Sequence, residues 1–270
     1  MILGASASGT GAGQASLTLQ QRMADAQSVQ LPYLLIVGIL LALAAAVWRF
    51  PLPEIDVAAH RLAHADRNRH SLWRHRNLVF GVPAIFIYLI AEIGIGSTLV
   101  NYISLPEIGN MSHAAAAGYL TLFWLGAMLG RFAGAFLMRR IAAESLLAWV
   151  SLGALGLTLT SILSTGHIAM WALILVGLCH SIMFPTIFTL AIRGLGPLTE
   201  KGSGLLIMAI AGGALSVLQG VLADRVGLRL SYLLPAACYV YVLFYAVWGS
   251  RAVEVEPLSE RSPASSSGTH

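Results

Sequence analysis

Charged side chains are scarce in this chain, and long hydrophobic runs stand in their place. Asp, Glu, Lys and Arg make up 10% of the 270 residues, whereas hydrophobic residues make up 57%. A soluble domain carries about 25% charged residues, so this composition excludes a water-soluble globular protein. Cysteine is scarce as well. Cys179 and Cys238 both fall inside hydrophobic runs, which gives a structural disulfide no support.

Motifs of hydrolytic and nucleotide-driven enzymes are also missing. The sequence contains no GxSxG, HExxH, paired CxxC or GxxxxGK[ST] pattern, which excludes an ATPase for this chain taken alone. Residues 1–30 lack the basic and apolar regions of a signal peptide. His60 and His64 share the i, i+4 spacing of metal ligands, but no cysteine accompanies them and nearby arginines would repel a cation. No metal and no cofactor are therefore expected.

Seven apolar stretches are each long enough to cross a bilayer. A hydrocarbon core of about 30 Å needs roughly 20 apolar residues of helix. Continuous runs of this length favour helices over a β-barrel, whose strands alternate in short segments. The sequence therefore predicts an all-α membrane bundle of about seven transmembrane helices, near residues 31–50, 78–104, 114–138, 145–164, 167–193, 203–223 and 230–249.

The positive charges lie mainly on one side of these predicted helices. Of the 16 Lys and Arg residues, only Arg22, Arg225 and Arg229 fall on the side where the chain begins. Positive residues gather in cytoplasmic loops, so the first span is expected to enter from outside and the C-terminus to be cytoplasmic. The basic net charge of +4 thus reflects topology, and nucleic acid is not an expected partner.

Polar groups inside the second span are candidates for function. Glu92 lies about halfway along it. A charged residue at that depth costs about 2.5–3.5 kcal/mol on insertion scales, so its presence indicates a specific role. It is either a proton or substrate site or a carboxylate bonded to a neighbouring helix, and we favour the first. Asn101 and Tyr102 add an amide and a phenol, although Asn101 would point roughly opposite Glu92 in a straight helix.

Further polar candidates lie in the fifth and sixth spans. Pro185 removes a backbone hydrogen bond in GLCHSIMFPTIFTL and predicts a kink near His180 and Ser181. His180 is as often a packing residue as a functional one. Gln219 in the sixth span either binds substrate or bonds a neighbouring helix.

The third span carries small and basic residues with architectural patterns. Gly126, Gly130 and Gly134 recur every four residues and predict close helix packing, and Gly212 and Gly213 in the sixth span predict the same. Arg131 lies within the last two turns, from which it can reach the interface. It is expected to act in gating or topology, together with Arg139 and Arg140.

Residues 177–232, GLCHSIMFPTIFTLAIRGLGPLTEKGSGLLIMAIAGGALSVLQGVLADRVGLRLSY, strongly resemble spans ten to twelve of one transporter group. This is the fucose permease and glucose/galactose transporter group of the major facilitator superfamily. EIGIGSTLVNY resembles its seventh span, GYLTLFWLGAMLGRFAGAFLMRR its eighth, and VQLPYLLIVGILL with LPEI its sixth span and the start of its central loop. The resemblance covers about residues 1–250.

The resemblance implies a division of the chain and a repeat within it. The expected parts are an external segment at 1–30, the last helix of a first half at 31–50, a cytoplasmic central loop at 51–77, a six-helix second half at 78–250 and a disordered cytoplasmic tail at 251–270. Such halves consist of two inverted three-helix repeats. Residues 78–164 and 167–249 are therefore expected to superpose after inversion.

The resemblance also implies an activity and a membrane. A hexose or 6-deoxyhexose, such as glucose, galactose or fucose, would move with a proton across the inner membrane by alternating access. The chain alone is expected to be inactive because the N-terminal half is missing. The expected substrate-binding or proton-linked residues are Glu92, Asn101, Tyr102, His180 and Gln219, and relatives are expected to carry an amide at the position of His180. The alternative is a seven-span membrane enzyme or receptor-like binding protein.

Overall fold

The computed structural model describes residues 19–49 and 72–251. Residues 1–18, 50–71 and 252–270 lie outside the described part, so the predictions that fall on them stay predictions. These include the N-terminal segment, the C-terminal tail and most of the 51–77 loop with His60 and His64. The chain divides into two compact units, residues 1–57 and 58–270.

Helix α1, Leu19–Arg49, belongs to the first unit. It contains nearly all of the first predicted span, and its apolar section runs over Tyr33–Ala46. The side chains of that section are exposed.

Six long apolar helices make up most of the described part of the second unit, residues 72–251. Each is long and apolar enough to cross a bilayer, and their ends lie within four residues of the predicted ones. The six predicted spans between residues 78 and 249 are thereby confirmed. The helices are α2 (Arg76–Ile103), α3 (His113–Leu137), α4 (Ala143–Leu163), α5 (Gly166–Ile192), α6 (Thr199–Val226) and α7 (Leu228–Gly249).

Helices α2 and α5 lie at the centre of the bundle, with more than half of their apolar windows buried. Helix α2 packs against α5, α6 and α7, while α5 packs against α3 and α4. Helices α3 and α6 are largely exposed. Polar side chains on α2 and α5 are therefore the ones most shielded from whatever surrounds the bundle.

Close packing of α3 on α5 follows the predicted glycine stripe. A Cβ atom at Gly130 would lie 2.8 Å from the Leu178 carbonyl oxygen, and Gly134 lies against the Ile182 side chain. Only glycine allows the two backbones to approach this closely. The predicted role of the stripe is confirmed at these two positions.

Helix α6 changes geometry part-way along its length. It is α-helical over Thr199–Met208 and Val217–Val226, but residues Ala209–Ser216 form a 3₁₀ helix. This section packs against α2, where a Cβ at Gly212 would lie 2.7 Å from the Phe86 carbonyl carbon. Gly212 thus allows close packing as predicted. The sequence did not predict the 3₁₀ section.

Five fully buried tyrosines connect the helices of the bundle. Each places its hydroxyl on a group of another helix, because a buried O–H needs a partner. Four of the five bonds involve residues of α2. The full set is Tyr88 to the His180 carbonyl oxygen, Tyr102 to the Ser161 carbonyl oxygen, Tyr232 to the Thr98 hydroxyl, Tyr239 to His180 Nε2 and Tyr245 to the Asn77 carbonyl oxygen.

The C-terminal end of α5 is held by side chains from α2 and α4. Asn77 places its Nδ2 atom 2.7–3.0 Å from the carbonyl oxygens of Leu190, Ala191 and Arg193. The Arg193 guanidinium pairs with Glu144 of α4. The last carbonyls of a helix have no partner within it, so the Asn77 amide satisfies groups that would otherwise be unpaired.

Candidate functional site

A polar cluster forms between α2, α5 and α7 at the level of Glu92. The Tyr88 hydroxyl donates to the His180 carbonyl oxygen at 3.1 Å. It also lies within hydrogen-bonding reach of the half-buried Glu92 carboxylate, one helical turn further along α2. Glu92 and His180, two of the predicted site residues, are therefore brought together through Tyr88.

His180 occupies an aromatic cage. Its ring lies 5.6 Å from Tyr88 and 5.7 Å from Phe123, both nearly perpendicular to it, and 5.7 Å from Tyr239. Its Nε2 atom bonds the Tyr239 hydroxyl at 2.5 Å, while Nδ1 has no hydrogen-bond partner among the described residues. The side chain is 2% exposed, so in this conformation a sugar could not reach it directly.

Pro185 leaves the carbonyl of Ser181, the residue after His180, without its usual helix partner. In an α-helix that carbonyl would accept a hydrogen bond from the N–H four residues later, and proline has no N–H. Helix α5 continues through Pro185 to Ile192. The Tyr88 hydroxyl binds one residue away, at the carbonyl of His180.

The charge of Arg131 on α3 acts on the cluster around Glu92. Its side chain is exposed, and its guanidinium is within electrostatic range of both Glu92 and Tyr88. A positive charge near a carboxylate at membrane depth offsets part of the cost of placing either charge there. Arg139 and Arg140 are exposed just beyond the end of α3, and Arg140 lies over the Phe136 ring at 5.6 Å.

A second polar network joins α6, α2 and α7. Gln219 is fully buried and donates from Nε2 to the Thr98 hydroxyl at 3.2 Å. Thr98 donates to the Gly94 carbonyl oxygen and is 2.9 Å from the Tyr232 hydroxyl. A hydroxyl has one hydrogen and two lone pairs, so Thr98 is saturated by these three contacts. The Gln219 Oε1 atom has no partner among the described residues.

Tyr102 and Asn101, adjacent in sequence, lie in different surroundings. Tyr102 is buried, edge-on to Tyr232 at 5.0 Å, and exchanges hydrogen bonds of 2.7 Å with Ser161 of α4. It therefore extends the network of Gln219 and Thr98. Asn101 is exposed, and the structure does not bring it into either cluster.

The sequence of this bundle matches one protein family over most of its length. Residues 1–209 match the Major Facilitator Superfamily. The chain belongs to the major facilitator superfamily. This assignment agrees with the six long apolar helices of the described residues and with the resemblance carried by residues 177–232.

Sugar transporters are among the most similar members of the superfamily. The glucose/galactose transporter of Brucella abortus is 43% identical over 230 residues, covering 85% of this chain and 55% of that protein. The L-fucose-proton symporter of Escherichia coli is 34% identical over 229 residues, covering 83% and 52%. The chain thus spans about half the length of the curated relatives it matches.

A solved structure agrees with this assignment. A crystal structure of the Escherichia coli fucose:proton symporter matches with a TM-score of 0.67 and 32% identity, covering 82% of this chain and 55% of that chain. A structure of the same transporter in an outward conformation also matches with a TM-score of 0.67, at 33% identity. The all-α membrane fold predicted from the sequence is therefore confirmed.

Several residues of the two clusters were missed by the sequence analysis. Tyr88, Tyr232 and Tyr239 lie in apolar runs, where tyrosine is easily counted as one more hydrophobic residue. A usable signal existed for Tyr88, because it precedes Glu92 by one helical turn and the two must share a helix face. Tyr232 and Tyr239 could not be found this way, since their partners lie on other helices.

Proposed function

We propose that this chain forms part of a secondary transporter that moves a hexose or 6-deoxyhexose together with a proton. The proposal rests on one observation. More than four fifths of the chain is similar to proteins named glucose/galactose transporter and L-fucose-proton symporter. Glucose, galactose and fucose are the sugars considered. An enzymatic activity is not part of the proposal.

The transport path is proposed to run between two six-helix bundles, of which this chain supplies one. Support comes from the extent of the similarity, which covers about half of each relative. Residues 78–250 would be the second bundle, with 31–50 the last helix of the first and 51–77 the central loop. The N-terminal half is the partner that we expect to be required for activity.

The proposed orientation follows from the arginine distribution. Arg139, Arg140 and Arg193 lie at the end of the bundle that we assign to the cytoplasm, and the C-terminus would lie on the same side of the inner membrane. Residues 1–30 would then be external and residues 251–270 cytoplasmic.

Two kinds of polar group are proposed to serve transport. Glu92 would take up and release the proton, with Arg131 as its neighbouring positive charge. Gln219 is fully buried in this conformation, so it would bind a sugar hydroxyl through its unpartnered Oε1 atom only in a conformation that exposes it; a hydroxyl would then supply the donor whose lack costs about 1–3 kcal/mol. His180 and Tyr102 would position these groups, and Asn101 would contact substrate from the exposed face of α2.

Uptake into proteoliposomes tests the proposal. One preparation contains this chain alone. A second contains residues 31–270 joined behind the part of the Brucella abortus relative that precedes its equivalent of residue 31, and that part alone is the control. We expect an inward proton gradient to drive accumulation of labelled glucose, galactose or fucose only in the joined protein.

Two results would count against the proposal. A joined protein that inserts and remains monodisperse but accumulates none of the three sugars would contradict the sugar assignment. Accumulation by this chain alone would contradict the requirement for a first half.

A further inference from the structure

The exposed indole of Trp124 lies against α2 at a position where α2 has no side chain. Trp124 is 43% exposed. A Cβ atom at Gly96 would lie 3.1 Å from its Cζ2 atom and 3.7 Å from its Cη2 atom. A side chain at position 96 would therefore press on the indole, whereas glycine leaves it room. Part of the indole surface stays open.

A rigid aromatic contact also holds the indole from behind. Trp124 lies edge-on to the fully buried Phe123, with ring centroids 5.2 Å apart and an interplanar angle of 83°. Phe123 in turn packs edge-on against His180 at 5.7 Å. The aromatic cage of His180 thus continues outward to an indole at the surface of the bundle.

The same two helix faces carry a carboxylate and a guanidinium. Arg131 follows Trp124 by seven residues and Gly96 follows Glu92 by four, so each pair shares one face of its helix. Arg131 lies within electrostatic range of Glu92, while Trp124 lies at Gly96. Seven residues of α-helix rise about 10 Å, so the indole, the carboxylate and the guanidinium lie along one stretch of the contact between α2 and α3.

We propose that Trp124 is a sugar-binding residue, on which the apolar face of a pyranose ring stacks while Glu92 and Arg131 bind its hydroxyl groups. This assignment rests on the proposed function. A pyranose presents C–H groups on one face and hydroxyls around its rim. Aromatic surface with a few well-placed polar groups is the usual lining of small-molecule sites, and charged groups form the stronger hydrogen bonds.

The other tryptophans of the bundle lack this combination. Trp248 is covered by the Arg76 guanidinium 3.0 Å above its ring, and Trp171 packs edge-on to Tyr119. Trp149 is 69% exposed on α4, with no charged residue one turn away on its helix face. Trp124 differs from it in packing against a glycine of the neighbouring helix α2.

Two measurements on matched variants test the assignment. Trp124→Phe and Trp124→Ala are compared with Trp149→Phe, which removes an exposed indole elsewhere in the bundle. The first measurement is the change in intrinsic fluorescence when the full chain in nanodiscs is titrated with galactose, glucose or fucose. The second is KM and kcat for uptake by the joined protein described above. A linear hexitol, which has no ring face to stack, serves as the ligand control.

The expected result is specific to Trp124. The sugar-dependent fluorescence change disappears in both Trp124 variants and persists in Trp149→Phe. KM rises about tenfold in Trp124→Ala, equivalent to about 1.4 kcal/mol, with kcat little changed, and Trp124→Phe gives a smaller rise. The hexitol changes neither fluorescence nor uptake.

The possible failures are distinguishable. A sugar response and a KM that are unchanged in both Trp124 variants would overturn this assignment and leave the proposed function intact. No sugar response and no uptake in the parent protein would overturn the proposed function, and this assignment with it. Because Trp124→Phe keeps an aromatic ring beside Gly96, it provides the result if Trp124→Ala does not fold.

Discussion

The imidazole of His180 depends on a single hydroxyl in the centre of the bundle. Tyr239 is the hydrogen-bond partner of its Nε2 atom, and the surrounding side chains of Tyr88 and Phe123 contribute ring surface. Buried polar groups are stabilising only while they remain hydrogen-bonded. The pair therefore makes the packing of α5 against α7 specific rather than merely apolar.

Tyr239→Phe should destabilise the protein out of proportion to the single oxygen atom that it removes. Leaving a buried polar group unsatisfied costs about 1–3 kcal/mol, and thermal unfolding in detergent measures the loss. Tyr241→Phe is the control on the same helix, because that hydroxyl makes only a 3.4 Å bond to the Phe80 carbonyl oxygen. Equal losses in the two variants would show that the bond to His180 contributes nothing specific.

Glu92→Gln should abolish the pH dependence of sugar uptake while leaving the protein folded. The amide keeps the shape of the side chain but carries no titratable proton. Uptake by the joined protein is measured across a range of pH, with Glu107→Gln in the exposed loop after α2 as the control. Normal pH-dependent uptake in Glu92→Gln would remove Glu92 from the mechanism.

The sequence predicted the ionisable and amide groups of the site better than their partners. Glu92, His180 and Gln219 stand out because a polar residue at membrane depth is costly wherever it points. Their partners Tyr88, Tyr239 and Thr98 depend on how each helix is rotated and which helix lies beside it. The electrostatic influence of Arg131 on Glu92 was likewise not predicted, and the expected role of Arg131 in gating or topology stays a prediction.

At the scale of elements, the contact between α3 and α5 depends on Gly130 and Gly134, which have no side chain to keep the two backbones apart. The bundle lacks the hydrophobic driving force that joins helices in water, so close backbone approach and van der Waals packing take its place. The helices themselves were predictable because apolar length is read along the chain. The 3₁₀ section of α6 was not, since it arises where Ala209–Ser216 meets α2.

Gly130→Ala should lower the free energy of unfolding by separating α3 from α5. The new methyl group would meet the Leu178 carbonyl oxygen and the Ser181 side chain, and overpacking costs about 1–3 kcal/mol. Gly118→Ala lies in the same helix with nothing within 4 Å of the new atom. That control should be neutral or stabilise by up to about 1 kcal/mol, because alanine favours helix over glycine. A Gly130→Ala protein as stable as Gly118→Ala would contradict the packing argument.

At the scale of the whole molecule, the proposed topology predicts which loops face the cytoplasm. Thr165→Cys between α4 and α5 and Ala142→Cys between α3 and α4 both introduce exposed thiols. A membrane-impermeant maleimide should label Thr165→Cys in intact cells and Ala142→Cys only after permeabilisation. The parent chain measures the background from Cys179 and Cys238, which lie inside the helices. The opposite labelling pattern would invert the proposed orientation.

The 3₁₀ section of α6 has a consequence for length. A 3₁₀ helix rises about 2.0 Å per residue and an α-helix 1.5 Å, so the eight residues of Ala209–Ser216 extend α6 by about 4 Å. If these eight residues were α-helical, α6 would be shorter while the neighbouring helices kept their lengths. The part of α6 beyond Val217 would also be rotated relative to α2. Gln219, two residues further on, would leave its place beside Thr98. The orientation of that amide is therefore tied to how tightly the preceding eight residues are wound.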